Sequence, residues 1–231
     1  MMIYLKLDCF LLADFFHQFR LKSIAHNRLE PLNYFGIPGM SWSSALMSLN
    51  EPIELITENE MFSFYEGGIR GGLTFVNKHY VKTDENTELL YIDINNLYGW
   101  ALSQSLPCGE FCWVLDGFDK IMDECRNLNL ESLSYGYTLE VDLVIPSELH
   151  DKLDDFPVAA EKMKPAGSKV EKLLLTHLPK SNYVIHWRLL KLYLELGVKV
   201  THVNRGVRFK QSPIFKSYMD TNTELRAKKH K

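Results

Sequence analysis

The chain has 231 residues, a hydrophobic content of 46% that includes 13 Phe and 11 Tyr, and a formal net charge of -3. That composition can fill a sizeable core in one or two domains, so a globular and not a disordered chain is expected. No apolar run approaches the ~20 residues that a membrane span requires, and the first residues lack the basic-then-apolar pattern of a secretory leader, so a chain with no membrane role is expected. Four cysteines are too few for a disulfide framework, which fits a reducing intracellular compartment. Cys108, Cys112 and Cys125 lack the further Cys or His that zinc spacing would demand.

Charge is unevenly distributed. Residues 199–231 carry +7 and the preceding residues -10. A basic tail is compatible with a phosphate-facing surface and equally with a solvated helix end.

In chain order, residues 4–20 repeat apolar side chains at helical spacing on a wide stripe, which predicts a mostly buried helix. Residues 31–40, with Pro31, Gly36, Pro38 and Gly39, read as a loop, and Ser41 to Ser44 as the capped start of a second helix. Four glycines between Gly67 and Gly72 mark backbone that turns or lies close to something. Short strands are expected at Leu73 to Val76 and Leu89 to Ile92, joined by the polar stretch Lys82 to Glu88. A helix from Leu97 to Gln104 is stopped by Pro107 and Gly109. Further on, Tyr137 to Ile145 reads as a strand, Lys162 to Lys169 as an exposed loop, Tyr183 to Leu196 as a helix ended by Gly197, and Val198 to Phe209 as β structure. The architecture expected is α+β.

The segment Tyr91-Ile92-Asp93-Ile94-Asn95-Asn96-Leu97-Tyr98-Gly99-Trp100 carries the chemistry. It resembles the D-x-x-S-L-Y-P motif of family B DNA polymerases, and more closely the D-I-N-N-L-Y-G-W form of protein-primed viral, organellar and transposon-borne members. Asn96 stands where Ser is usual and Gly99 where Pro is usual. The resemblance implies that Asp93, at a strand end, is a catalytic carboxylate and ligand of Mg²⁺, because nucleotidyl transfer uses paired hard cations held by carboxylates. It implies that Leu97 and Tyr98 bind the incoming nucleotide, with Tyr98 under the deoxyribose. Asp93 and Tyr98 should then open to one cleft.

Ile69-Arg70-Gly71-Gly72-Leu73 resembles the Y-x-G-G segment that joins the exonuclease and polymerase halves and touches the template. Tyr65-Glu66-Gly67-Gly68 is a rival match. Tyr4 and Asp8 resemble the Y-x-x-x-D motif of 3′–5′ proofreading exonucleases, although the D-x-E pair that would complete it is missing. Leu106-Pro107-Cys108-Gly109 matches the turn after the Asp motif. The basic residues Arg205 and Arg208 are candidate DNA contacts, with Arg70, Gly71 and Gly72.

Taken together, the resemblance implies a partial family B palm, with the C-terminal helices of an exonuclease domain and an inserted region leading to the fingers. Residues 1–60 would be exonuclease-like, 61–115 the palm segment, 116–198 the insertion and 199–231 a basic approach to the fingers. The implied parent is a DNA-directed DNA polymerase working on template, primer and deoxynucleoside triphosphates, with a priming protein as a further partner. The fingers and second Asp motifs are not in the sequence, so this chain alone is expected to be inactive. Two rival readings stay open: a non-catalytic nucleic-acid-binding relic, and a structural domain with no DNA role.

Overall fold

A computed structural model of the chain describes residues 2–76, 78–127 and 133–228. Its elements in chain order are α1 (Met2–Asn27), α2 (Ile37–Met47), α3 (Asn59–Gly67), α4 (Leu97–Leu102), β1 (Leu106–Val114) and α5 (Phe118–Asn127). There follow β2 (Tyr135–Val144), α6 (His150–Leu153), β3 (Glu161–Met163), β4 (Lys172–Leu174), β5 (Lys180–His186), α7 (Trp187–Leu196), β6 (Lys199–Ser212) and α8 (Lys216–Lys228). The class is α+β. Two compact units divide the chain: one holds Met1–Pro52, Tyr98–Gln104 and Pro213–Lys231, the other Ile53–Leu97 and Ser105–Ser212. Among the described residues no helix is long and apolar enough to cross a membrane.

The first unit is helical. α1 forms where its periodicity predicts, but it is exposed along most of its length rather than buried, with Leu12 at 68% and Phe15 at 73%. Helical spacing reports that an apolar face exists, and packing decides what covers it. α1 is held at its far end, where Ser23 is buried and Arg20 Nε donates to Glu30 Oε2 at 2.6 Å. The expected loop at 31–40 is shorter than predicted. α2 begins at Ile37 with Gly36 as its cap residue and Pro38 in its first turn, where a missing N–H costs nothing. α2 meets Phe215, just before α8, through Trp42, ring centroids 5.6 Å apart, and α8 itself through Tyr218, whose hydroxyl donates to Ser41 O at 3.2 Å.

The second unit is built on a four-stranded antiparallel sheet in the order β1-β6-β2-β5. Alternation along β2 sends Tyr137, Leu139, Val141 and Leu143 to one face, all buried. There they join Ile121, Met122 and Cys125 of α5 and Leu190 and Tyr193 of α7 in the main core. A smaller cluster gathers Met61 and Phe64 of α3 with Val184 and Val207. β3 and β4 pair separately as a hairpin around the predicted 162–169 loop. The buried Lys180 ammonium is paired with Glu161 Oε2 at 3.3 Å and donates to Thr176 Oγ1 at 2.7 Å, which offsets its desolvation.

Several expectations are corrected here. Leu73 to Val76 and Leu89 to Ile92 are not strands. Among the described residues no neighbouring strand supplies a ladder to either, and Leu90 and Tyr91 stand 73% and 101% exposed. β propensity describes side chains suited to a sheet and cannot supply the second strand. Only a bridge between Asp84 and Thr87 closes the polar turn between them, with Asn86 N donating to Asp84 Oδ1 at 2.9 Å. Hydrogen bonds from the Asn86 backbone and then from the Thr87 side chain hold the Asp84 carboxyl below its usual pKa. Leu106 to Gly109 is not a turn but the start of β1, an edge strand that tolerates Pro107. Register shifts flank Gly109, and beside them Glu110 adopts φ 54 with its N–H on Glu54 Oε2 at 2.6 Å. Tyr183 to His186 belong to β5, and the predicted helix starts only at Trp187. Gly197 does end it, at φ 100.

His186 is the hinge between β5 and α7. Its Nδ1 accepts from Arg188 N at 3.3 Å as the helix cap, and its ring stacks on Phe209 with centroids 5.7 Å apart. Burial, with a smaller contribution from the Arg188 charge, pushes its pKa from 6.5 down to about 4. Between those values the unfolded chain binds the extra proton and the folded chain does not, so stability rises with pH across that window. Thermal melts should therefore lose stability as pH falls from about 6.5 to about 4, and His186→Asn, which keeps a capping acceptor but cannot titrate, should flatten that dependence. An unchanged slope in His186→Asn would show that other groups carry it.

Close packing around Gly206 gives a second prediction. A Cβ there would lie 2.5 Å from Leu139 Cδ2 and 3.1 Å from Thr138 O, inside a core where Leu139 cannot yield. Gly206→Ala should cost about 1–3 kcal/mol by overpacking. Gly71→Ala, with nothing within 4 Å of its Cβ, should leave the melting temperature unchanged.

Candidate nucleotide and DNA interface

Asp93 lies in a segment without regular secondary structure that joins no sheet among the described residues, so the expected strand-end position is corrected. Its side chain is exposed and meets no hydrogen-bonding or ionic partner among the described residues. The chain turns at Asn95 and Asn96. Asn96 adopts φ 55, a left-handed conformation that Asn accepts more readily than most residues, and α4 starts at the next residue. Leu97 is half exposed, and Tyr98, in the first turn of α4, is 90% exposed. The hydroxyl of Ser103 on Trp100 O at 2.7 Å and the Gln104 amide on the same oxygen at 3.1 Å close the helix's other end. Asp93 belongs to the sheet-containing unit and Tyr98 to the helical one.

The donor set falls short of a magnesium centre. Mg²⁺ takes near-octahedral oxygen coordination, whereas among the described residues no three His, Cys, Asp or Glu side chains gather closely enough to share an ion. Asp93 supplies a single carboxylate. Tyr4 and Asp8 sit one turn apart on α1, both exposed, so they share a helix face, as their spacing requires.

The two glycine pairs do different work. Tyr65-Glu66-Gly67-Gly68 closes α3, and a Cβ on Gly68 would come within 3.0 Å of Val184 Cγ1. Gly71 and Gly72 stand in the open, Gly72 at φ 77. Arg70, between the pairs, turns inward. Its Nη1 donates to Val184 O at 2.7 Å and Gly68 O at 3.2 Å, and its guanidinium lies 3.7 Å from the centroid of the Tyr183 ring. It thereby occupies the outer edge of β5. Burial raises the Tyr183 and Tyr65 hydroxyl pKa values, so both are neutral at physiological pH.

Arg205 is also committed. Its Nε donates to Glu140 Oε2 at 2.8 Å and its Nη1 to Glu60 Oε1 at 2.5 Å, and these bonds raise its pKa further. Arg208 is exposed, with its guanidinium 4.7 Å from the Tyr135 ring. On α8, Lys216 pairs with Asp220 at 2.7 Å, while Arg226 and Lys228 lie in the last turn, where cations suit the helix dipole. Sequence reasoning passed over Glu58, Glu60 and Glu140. Each gains its role from a partner far away along the chain, and no local pattern announces it.

No curated protein and no solved structure matches the chain. The family model described as DNA polymerase type B, organellar and viral, matches residues 1–231, the whole chain. The chain belongs to the organellar and viral type B DNA polymerases.

Proposed function

We propose that this chain carries part of the polymerising machinery of a template-directed nucleotidyltransferase, with DNA and deoxynucleoside triphosphates as substrates. The observation that carries the reading is the match to the family along the whole chain, together with an Asp93-to-Tyr98 segment whose key side chains face solvent. In this reading Asp93 is a metal-binding carboxylate, and Leu97 and Tyr98 border the nucleotide, Tyr98 offering an aromatic face to the sugar. Mg²⁺ would supply charge neutralisation at the transferring phosphate. A lone carboxylate does not hold it, so no catalytic step is assigned to the chain by itself.

Tyr4 and Asp8 are read as exonuclease-like, from their resemblance to the Y-x-x-x-D motif and their one-turn spacing on α1. DNA contact is assigned to the backbone of Gly71 and Gly72, whose open N–H groups can approach a phosphate, and to exposed cations led by Arg208 and Arg226. A priming protein is a further partner suggested by the D-I-N-N-L-Y-G-W form of the motif.

Two outcomes follow. Purified chain with primed template, nucleotides and Mg²⁺ or Mn²⁺ should give no primer extension. Lengthening that disappears in Asp93→Ala would show instead that the chain completes its own metal site. Affinity for single-stranded DNA should fall steeply with salt, and Arg208→Ala with Arg226→Ala should flatten the slope by about two phosphate units. A salt-insensitive affinity would favour a structural domain without a DNA role.

A further inference from the structure

We infer that Arg205 is a positioning residue that holds the Arg70-Gly71-Gly72 linker in place through α3, rather than a phosphate contact. The inference rests on the reading that this linker faces nucleic acid. β6 projects Arg205 onto the sheet face covered by α3, where its guanidinium spans two carboxylates from different elements, Glu140 of β2 and Glu60 of α3. The side chain of Glu140 is only 12% exposed, so its charge depends on Arg205 for compensation. Phe64 and Trp113 flank the cation, with ring centroids 5.6 Å and 5.1 Å from it.

The first turn of α3 is fastened a second time by Glu58, whose carboxylate accepts from Trp113 Nε1 at 3.0 Å. The other end of the same segment is fixed by Gly68 against Val184 and by Arg70 on Val184 O. The chain from Glu58 to Arg70 is thus strapped across the sheet at both ends. Immediately beyond it, Gly71 and Gly72 project into open space. The guanidinium charge is already met by two carboxylates, one on Nε and one on Nη1, which leaves little net positive charge there for a phosphate. Its geometry instead sets where the linker leaves the sheet.

The two roles give opposite results in the full chain. The readouts are tryptic cleavage after Arg70, followed by mass spectrometry, and a salt titration of binding to an oligothymidylate. A positioning role predicts that Glu60→Gln and Arg205→Gln each accelerate cleavage after Arg70 by about tenfold, because cleavage follows local opening. Both variants should weaken DNA binding at fixed salt and leave the salt slope unchanged. A direct phosphate contact predicts that Glu60→Gln, by freeing Arg205, tightens binding, and that Arg205→Gln flattens the slope by about one unit with cleavage unaltered. That second pattern would overturn the inference. If Arg205→Gln fails to fold, Glu60→Gln decides alone, since its carboxylate is 65% exposed and its loss disturbs no buried charge. Absence of DNA binding by the unaltered chain would sink the reading of the linker as facing nucleic acid, while the cleavage arm would still decide whether Arg205 holds it.

Discussion

The pairing of β6 with β2 is the constraint on which the second unit depends. β6 is paired with β2 along nearly its whole length, from Tyr135 opposite Lys210 to Val144 opposite Lys199, and takes β1 on its other side only from Gly206 onward. The central register forces the rest. It stacks Leu139 and Val141 into the core beneath α5 and α7, and it places Arg205 opposite Glu140, where α3 can be tied down. Two register shifts in the half of β6 that lacks β1 break the regular ladder of that open edge, which discourages pairing with another chain.

Basic residues that look alike in sequence divide into two populations in three dimensions. Arg70 and Arg205 are internal fasteners, each spent on carbonyls, carboxylates and aromatic faces of the sheet unit. Arg208 and Arg226 remain at the surface, where a phosphate can be met without breaking an internal bond. Glycine shows the same division, Gly68 packing against Val184 while Gly71 and Gly72 stay open.

How much was legible follows from the range of each interaction. β2, α4, the C-cap at Gly197 and the β structure after it are encoded within a few residues by alternation, capping and a left-handed glycine, and sequence reading found them. The strands expected at Leu73 to Val76 and Leu89 to Ile92 failed because strand formation depends on a partner elsewhere, which local β propensity does not reveal. α5 was missed. Its apolar positions Phe118, Ile121, Met122 and Cys125 do recur at helical spacing, but in a stretch read only as an insertion. At the candidate site, Asp93 and Tyr98 were visible because their spacing is local. The Glu60–Arg205–Glu140 bridge joins residues up to 145 positions apart and has no signature before folding.

The central claim is that the Asp93 segment joins no sheet among the described residues, although the unit it belongs to contains a well-formed four-stranded sheet. Amide hydrogen exchange of the unaltered chain, resolved by segment, tests that claim most directly. Amides of Leu139 to Val141 and of Val207 to Phe209 should exchange only through global unfolding, whereas those from Leu89 to Ile94 should exchange at rates close to an unstructured peptide. Strong protection from Leu89 to Ile94 would contradict the account, because it would mean that the Asp93 segment has found a strand partner.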